Sequence, residues 1–169
     1  QHINTSAMAG MHRMTPITIP ALENTFTVPD GEMSTYFPST LDDLHRHEQY
    51  KEAIRRCVDA FRGANDDRTP LLLDVGCGTG LLSLFALAAG ARVLAVDANP
   101  LQVEATKQTL ATLDVSADMW TVVPLSEVGP HLKGGVDIMV SELLGTLVNG
   151  EDMLRILKLY EPYLNANRG

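Results

Sequence analysis

Apolar positions along the chain fall into two kinds of run that alternate. Leu71–Val75, Arg92–Asp97, Trp120–Val123 and Val136–Ser141 are short and nearly continuous, as strands buried on both faces are. Between them the spacing is helical. Over about 41–62, Tyr50, Ile54, Cys57 and Phe61 share one apolar face, which makes Cys57 an expected core residue. Ser39 and Thr40 are candidate caps of this helix, Asp42 and Asp43 stand in its first turn, and Gly63 can end it before the polar loop GANDDRTP. Leu81–Ala89 is a second helix, closed by Gly90. A third has Asn99 as its cap and Pro100 at its first position, and runs to about Leu113. The last runs from about Glu151 to Leu164, with Asn149 a candidate cap. Residues 1–33 mix Thr, Pro, Met and Gly without clear periodicity and read as a flexible arm. The alternation over 34–169 predicts an α/β domain: a doubly wound, Rossmann-like parallel sheet with helices on both faces.

Composition narrows the function. The 169 residues carry 13 Lys+Arg against 21 Asp+Glu, a formal net charge of -8. That argues against tracking a phosphate backbone, so no direct nucleic-acid binding is expected, and a basic partner fits better. Cys57 and Cys77 form no CxxC and no Cys/His cluster. Neither a disulfide framework nor a metal site is expected, and a reducing compartment, cytoplasm and/or nucleus, is. No apolar run reaches transmembrane length and the N-terminal segment has no hydrophobic signal region, so no membrane association is expected.

The segment LLLDVGCGTGLLS places Gly76, Gly78 and Gly80 between a buried strand and a helix. Glycines there let a ligand approach the backbone closely, at the strand ends where open α/β sheets bind ligands. The spacing is G-x-G-x-G, not the dinucleotide G-x-G-x-x-G, and Leu81 stands where the third glycine is needed. That disfavours a dehydrogenase, and no Lys-Ser/Thr follows to make a P-loop. The second strand ends in Asp97, whose carboxylate can accept from both hydroxyls of an unphosphorylated ribose. Together these suit an adenosine-containing ligand without a pyrophosphate.

The fourth strand leads into SELLGTLVNGEDML. Glu142 is at its carboxyl end and Glu151 follows past Gly145 and Gly150, which let the loop fold back. Two carboxylates can hold the planar fork of a guanidinium bidentately. Equally, Glu151 and Asp152 suit a helix start through its dipole, and Glu142 can be an ordinary edge acid.

DVGCGTG followed by VLAVDANP resembles motif I and the following acidic strand of class I S-adenosylmethionine-dependent methyltransferases. GLLS and SELLGTLVNGE resemble the protein arginine N-methyltransferase family, with both glutamates at that family's separation. The resemblance implies S-adenosylmethionine over Gly76–Gly80 with its ribose on Asp97, and Glu142 and Glu151 clamping the guanidinium of an arginine-containing basic protein. Asp43, Arg46 and Tyr50 match the family's D-x-x-R-x-x-x-Y helix, which implies that Arg46 pairs with the cofactor's carboxylate; by its position alone Arg46 can equally pair with Asp43. Glu127, beside Ser126, falls where the family has an acid near the adenine, and Tyr36–Phe37 resembles its aromatic pair. His45, His47 and His131 form no ligand set or triad.

The likeness covers about Tyr36 to Leu164. The family continues into a β-barrel domain with a dimerisation arm, so these 169 residues are expected to be its catalytic core, and homodimerisation is expected only with that second domain supplied. Two other readings are open. A small-molecule class I methyltransferase keeps Gly76–Asp97 without needing paired glutamates. A non-catalytic regulatory paralogue binds cofactor weakly and shows no turnover alone.

Overall fold

The structure is a computed structural model, described here over residues 14–19, 24–29, 43–143 and 153–164. Tyr36–Phe37, Ser39, Thr40, Asp42, Gly145, Asn149, Gly150, Glu151 and Asp152 lie outside the described residues. Backbone contacts divide the chain into two units, Gln1–Leu44 and His45–Gly169.

In the first unit, β1 (Met14–Ile19) and β2 (Asn24–Pro29) pair antiparallel, with Ile17 opposite Phe26 and Thr18 opposite Thr25. Residues 1–33, expected to be a flexible arm, thus contain a strand pair. The signal was the alternation Thr25-Phe26-Thr27-Val28, and Pro16 and Pro29, residues ordinarily confined to strand edges, masked it.

In the second unit, β3 (Leu71–Val75), β4 (Arg92–Asp97), β5 (Trp120–Pro124) and β6 (Ile138–Ser141) form a parallel sheet in the order β5-β4-β3-β6. Helices α1 (Leu44–Ala64), α2 (Leu81–Ala88), α3 (Pro100–Ala111) and α4 (Met153–Tyr160) accompany it. Leu73, Val75, Leu94 and Val96 point to one face, where they pack with Val128, Leu132, Val136 and Tyr160. Asp74 points to the other, where Ser83 of α2 meets it. The sheet is therefore covered on both faces, which is why its strands read as unbroken apolar runs. The fold is the predicted Rossmann-like α/β fold.

The order has a mechanical consequence. The chain builds outward from β3 to β4 to β5, then returns to lay β6 on the other side of β3. The helix that follows β3 covers one face of the sheet and the helix that follows β6 the other, so a crevice opens between the carboxyl ends of β3 and β6, the position where such sheets bind ligands. Gly76 and Glu142 stand on its two sides.

Two local expectations change. Cys57 is exposed, and the buried residues of α1 are His47, Ile54 and Val58. Positions 57 and 58 both lie one turn beyond Ile54, and the branched hydrocarbon takes the inward one. Gly63 does not end α1, which continues to Ala64. Asn99 caps α3 as expected, its side chain accepting from Leu101 N at 2.9 Å, with Pro100 at the first helical position.

At the amino ends of β3 and β6, Arg68 donates both terminal nitrogens to Asp137, at 3.1 and 2.9 Å. Asp137 also accepts Leu71 N–H at 2.8 Å, and Arg68 stacks on Phe61 at 4.6 Å. This clamp fixes the end of the sheet opposite the crevice.

Candidate functional site

The glycine turn is stitched to the neighbouring strand. Gly76 N and Cys77 N both donate to Val96 O, at 2.9 and 3.1 Å, and Gly80 N donates back to Cys77 O at 2.8 Å. Gly76, Gly78 and Gly80 have φ of +75, +56 and +86°, the left-handed region that side chains disfavour. Two of them also lack room for one. A Cβ on Gly76 would lie 2.6 Å from Leu143 Cδ2, and one on Gly80 would lie 3.0 Å from Thr106 Cγ2.

Asp97 closes the turn from β4. Its Oδ2 accepts Gly78 N–H at 3.0 Å and its Oδ1 accepts Asn99 N–H at 2.9 Å. Each carboxylate oxygen has two acceptor positions, so both can still receive a hydroxyl. Two residues predicted separately from sequence are thus joined by a hydrogen bond.

Sequence reasoning passed over Asp74, inside the same motif. It is fully buried, Ser83 Oγ donates to its Oδ2 at 2.7 Å, and its Oδ1 has no hydrogen-bond partner. Burial pushes its carboxyl up to about 6, and the Ser83 bond recovers only part of that penalty. The signal available was an acid in an otherwise apolar strand. Cys77 is buried too, and burial drives its thiol far above the ordinary range, which agrees with its reading as a small turn residue rather than a nucleophile.

The opposite wall carries Glu142, just past the end of β6. Its Oε1 accepts from Arg46 Nη1 of α1 at 3.3 Å, both side chains being about a quarter to a third exposed. Tyr50, one helical turn on from Arg46, is half-buried, and burial, with Glu142 adding to it, raises its phenol. Arg46, Tyr50 and Glu142 therefore form one cluster across 96 residues of sequence. The contact to Glu142 was not foreseen for Arg46. Glu127 ends a short 3-10 turn after β5 and is exposed, and no described contact joins it to the other candidates. Glu151 lies outside the described residues. Among the described residues, no three His, Cys, Asp or Glu side chains are grouped to hold a metal ion.

A doubly wound parallel sheet, a G-x-G-x-G turn after its first strand and an acid ending the next define a class I methyltransferase. The family model described as ribosomal protein L11 methyltransferase (PrmA) matches residues 51–158, from α1 to α4. Within this class the chain belongs to the protein arginine N-methyltransferase family. It is 36% identical over 115 residues to the Probable protein arginine N-methyltransferase 6 of Arabidopsis thaliana, covering 68% of this chain and 25% of that protein. It is 33% identical over 123 residues to Protein arginine N-methyltransferase 6 of Danio rerio, covering 70% and 35%. Among solved structures, the Trypanosoma brucei PRMT1 enzyme-prozyme heterotetrameric complex with AdoHcy matches with a TM-score of 0.54 at 32% identity, over 70% of this chain and 36% of that one. Arabidopsis thaliana Protein Arginine Methyltransferase 10 shares the fold, with a TM-score of 0.62 at 23% identity over 79% and 37%. The chain thus spans about a quarter to a third of the curated relatives named here.

Proposed function

We propose that the chain carries the S-adenosylmethionine-binding core of an enzyme that methylates a guanidinium nitrogen of arginine residues in proteins, in the cytoplasm and/or nucleus. The observation that carries this reading is Glu142, a carboxylate at the crevice between β3 and β6 that already holds one guanidinium, that of Arg46, at 3.3 Å. The crevice's other wall suits the cofactor. Gly76, Gly78 and Gly80 leave the turn bare, and Asp97 keeps acceptor capacity for two ribose hydroxyls. When bound, S-adenosylmethionine supplies a sulfonium methyl open to in-line displacement. Arg46, which contacts Glu142, is assigned to the cofactor's carboxylate, and Glu127 to the adenine side.

The chain's own task is orientation. A guanidinium is a poor nucleophile, because its lone pairs are delocalised and it stays protonated below a pH of about 12. Glu142, joined by Glu151 from the same loop, holds the fork, turns one nitrogen toward the methyl, stabilises the cation, and offers a carboxylate for the proton that this nitrogen gives up on methylation. The net charge of -8 favours a basic protein segment as substrate.

The test has two arms. Calorimetric titration with S-adenosylmethionine is expected to give micromolar binding that Asp97→Ala abolishes, and no binding by the folded chain sinks the cofactor assignment. Methyl transfer to an arginine-rich peptide is then expected to fall at least about a hundredfold in Glu142→Gln, as for loss of one preorganised electrostatic group. Transfer to the peptide that survives this change removes the guanidinium clamp at Glu142, and cofactor binding without transfer to any arginine peptide favours a small-molecule acceptor.

A further inference from the structure

Two threonines of α3 are buried against the glycine turn. Thr106 and Thr109 are 0% and 1% exposed, on the face they share with Val103 and Leu110. Threonine is a mediocre helix former, and a buried hydroxyl needs a partner. The usual partner in a helix is the carbonyl one turn back. Thr109 does lie 3.0 Å from Ala105 O, but its shorter contact, 2.7 Å, is to Thr79 O in the turn. Thr106 Oγ1 donates to Gly78 O at 2.9 Å and lies 3.3 Å from Cys77 Sγ. Its methyl fills the space where a side chain on Gly80 would be, with Cγ2 3.0 Å from that ideal Cβ.

A trans peptide is planar, with its N–H opposed to its C=O. Pinning two successive carbonyls to α3 therefore sets two successive peptide planes, Gly78–Thr79 and Thr79–Gly80. It turns the amide of Thr79 away from α3. Asp97 holds Gly78 N–H from the other end of the turn at 3.0 Å. The turn thus has no loose peptide between Gly78 and Gly80.

We infer that Thr106 and Thr109 are positioning residues of the cofactor site, their hydroxyls fixing the peptide planes of the glycine turn on which the adenosyl ligand packs. The assignment rests on the cofactor reading above. Neither residue touches the ligand; each acts through a backbone carbonyl. A helix that only packed against the turn would serve equally well with valine, which has the shape of threonine without the hydroxyl.

The experiment compares the chain with Thr106→Val, Thr109→Val, the double valine variant, and Thr106→Ser and Thr109→Ser, by two readouts. The first needs no ligand: amide hydrogen exchange over residues 76–80. Exchange there is expected to quicken about tenfold in each valine variant and to return to the original rate in each serine variant, while the strands β3 and β4 keep their protection. The second is affinity for S-adenosylhomocysteine, expected to weaken about tenfold per valine and to stay within about threefold in the serine variants. If the double variant fails to fold, the single ones decide. Valine variants with unchanged turn exchange overturn the inference, as do serine variants that lose as much as valine. If the unaltered chain does not bind S-adenosylhomocysteine, the cofactor reading fails, and the exchange measurement still decides whether these hydroxyls set the turn.

Discussion

Asp74→Asn should remove a contribution to stability whose pH dependence runs opposite to that of an ordinary carboxylate. Asp74 has no exposed surface; Ser83 donates its hydroxyl to Oδ2 and its backbone amide also favours the charged form, while Oδ1 has no hydrogen-bond partner of its own. Burial moves it from its ordinary 3.8 up to about 6. The sign follows from which form the fold disfavours. Above both values the folded chain carries a buried charge that the unfolded chain leaves in water, and the fold is penalised. Below both the group is neutral in either state and the penalty is gone. Stability attributable to Asp74 therefore rises as pH falls from about 6 to about 4, by about 3 kcal/mol for a shift of this size. Asparagine has no charge to lose, so its own contribution is flat. The assay is urea unfolding followed by the fluorescence of Trp120, the single tryptophan, at steps from pH 4 to pH 8. Acids elsewhere titrate in both proteins and cancel in the difference. The expected difference curve shows the unaltered chain gaining about 3 kcal/mol on the variant toward low pH. Parallel curves would refute the reasoning, because they would mean that Asp74 titrates as a solvated acid.

Three further outcomes are expected. Arg68→Ala removes the fork on Asp137, whose side chain is 2% exposed, and the stack on Phe61; because Arg68 itself is half-exposed the loss should be modest, about 1–2 kcal/mol by thermal unfolding, with cofactor affinity unchanged at the far end of the sheet. Under native conditions iodoacetamide should alkylate Cys57 on the surface of α1 and leave Cys77 untouched, as peptide mass mapping would show; prompt labelling of Cys77 would mean that the turn opens. Gly76→Ala should destabilise the chain by about 1–2 kcal/mol, part from its φ of +75° and part from Leu143; in a double-mutant cycle with Leu143→Ala only the second part should vanish.

What was legible in the sequence was what local chemistry decides. The strand, glycines, helix, strand and acid from Leu71 to Asp97 arrive within one βαβ unit, so their order alone placed the glycine turn and Asp97 at the same end of the sheet. Asn99 and Pro100 marked a helix start for the same reason. Contacts between distant segments were not legible. Arg46 meets Glu142 only because β6 returns beside β3 and α1 lies against that edge, and nothing near either residue announces the pairing. The threonines of α3 carry no signal of their own in the sequence, because their partners are carbonyls, which every residue has. The stripe of α1 was placed one residue off, at Cys57 instead of Val58, since i+3 and i+4 are both inward positions and only packing chooses between them. The hairpin at 14–29 was missed because prolines interrupt a weak alternation.

The two halves of the candidate site are coupled more closely than their separation in sequence suggests. Leu143 directly follows Glu142 and fills the space that Gly76 leaves, so the glycine turn and the residues that end β6 share a packing surface. Gly78 is bonded to Asp97, and Gly78 and Thr79 to the hydroxyls of α3. Glu142 is bonded to Arg46. That ion pair is partly exposed, a kind worth at most about 1 kcal/mol, so it adds little to stability. Its effect is placement: it keeps a carboxylate at the mouth of the crevice in a contact weak enough to be exchanged. The buried charge of Asp74 points the same way, since hydrophobic packing would stabilise that strand better than a half-satisfied acid. The carboxyl ends of β3, β4 and β6 carry the acids, and the opposite end carries the clamp that holds the sheet. Stability and chemistry are thus divided between the two ends of one small sheet.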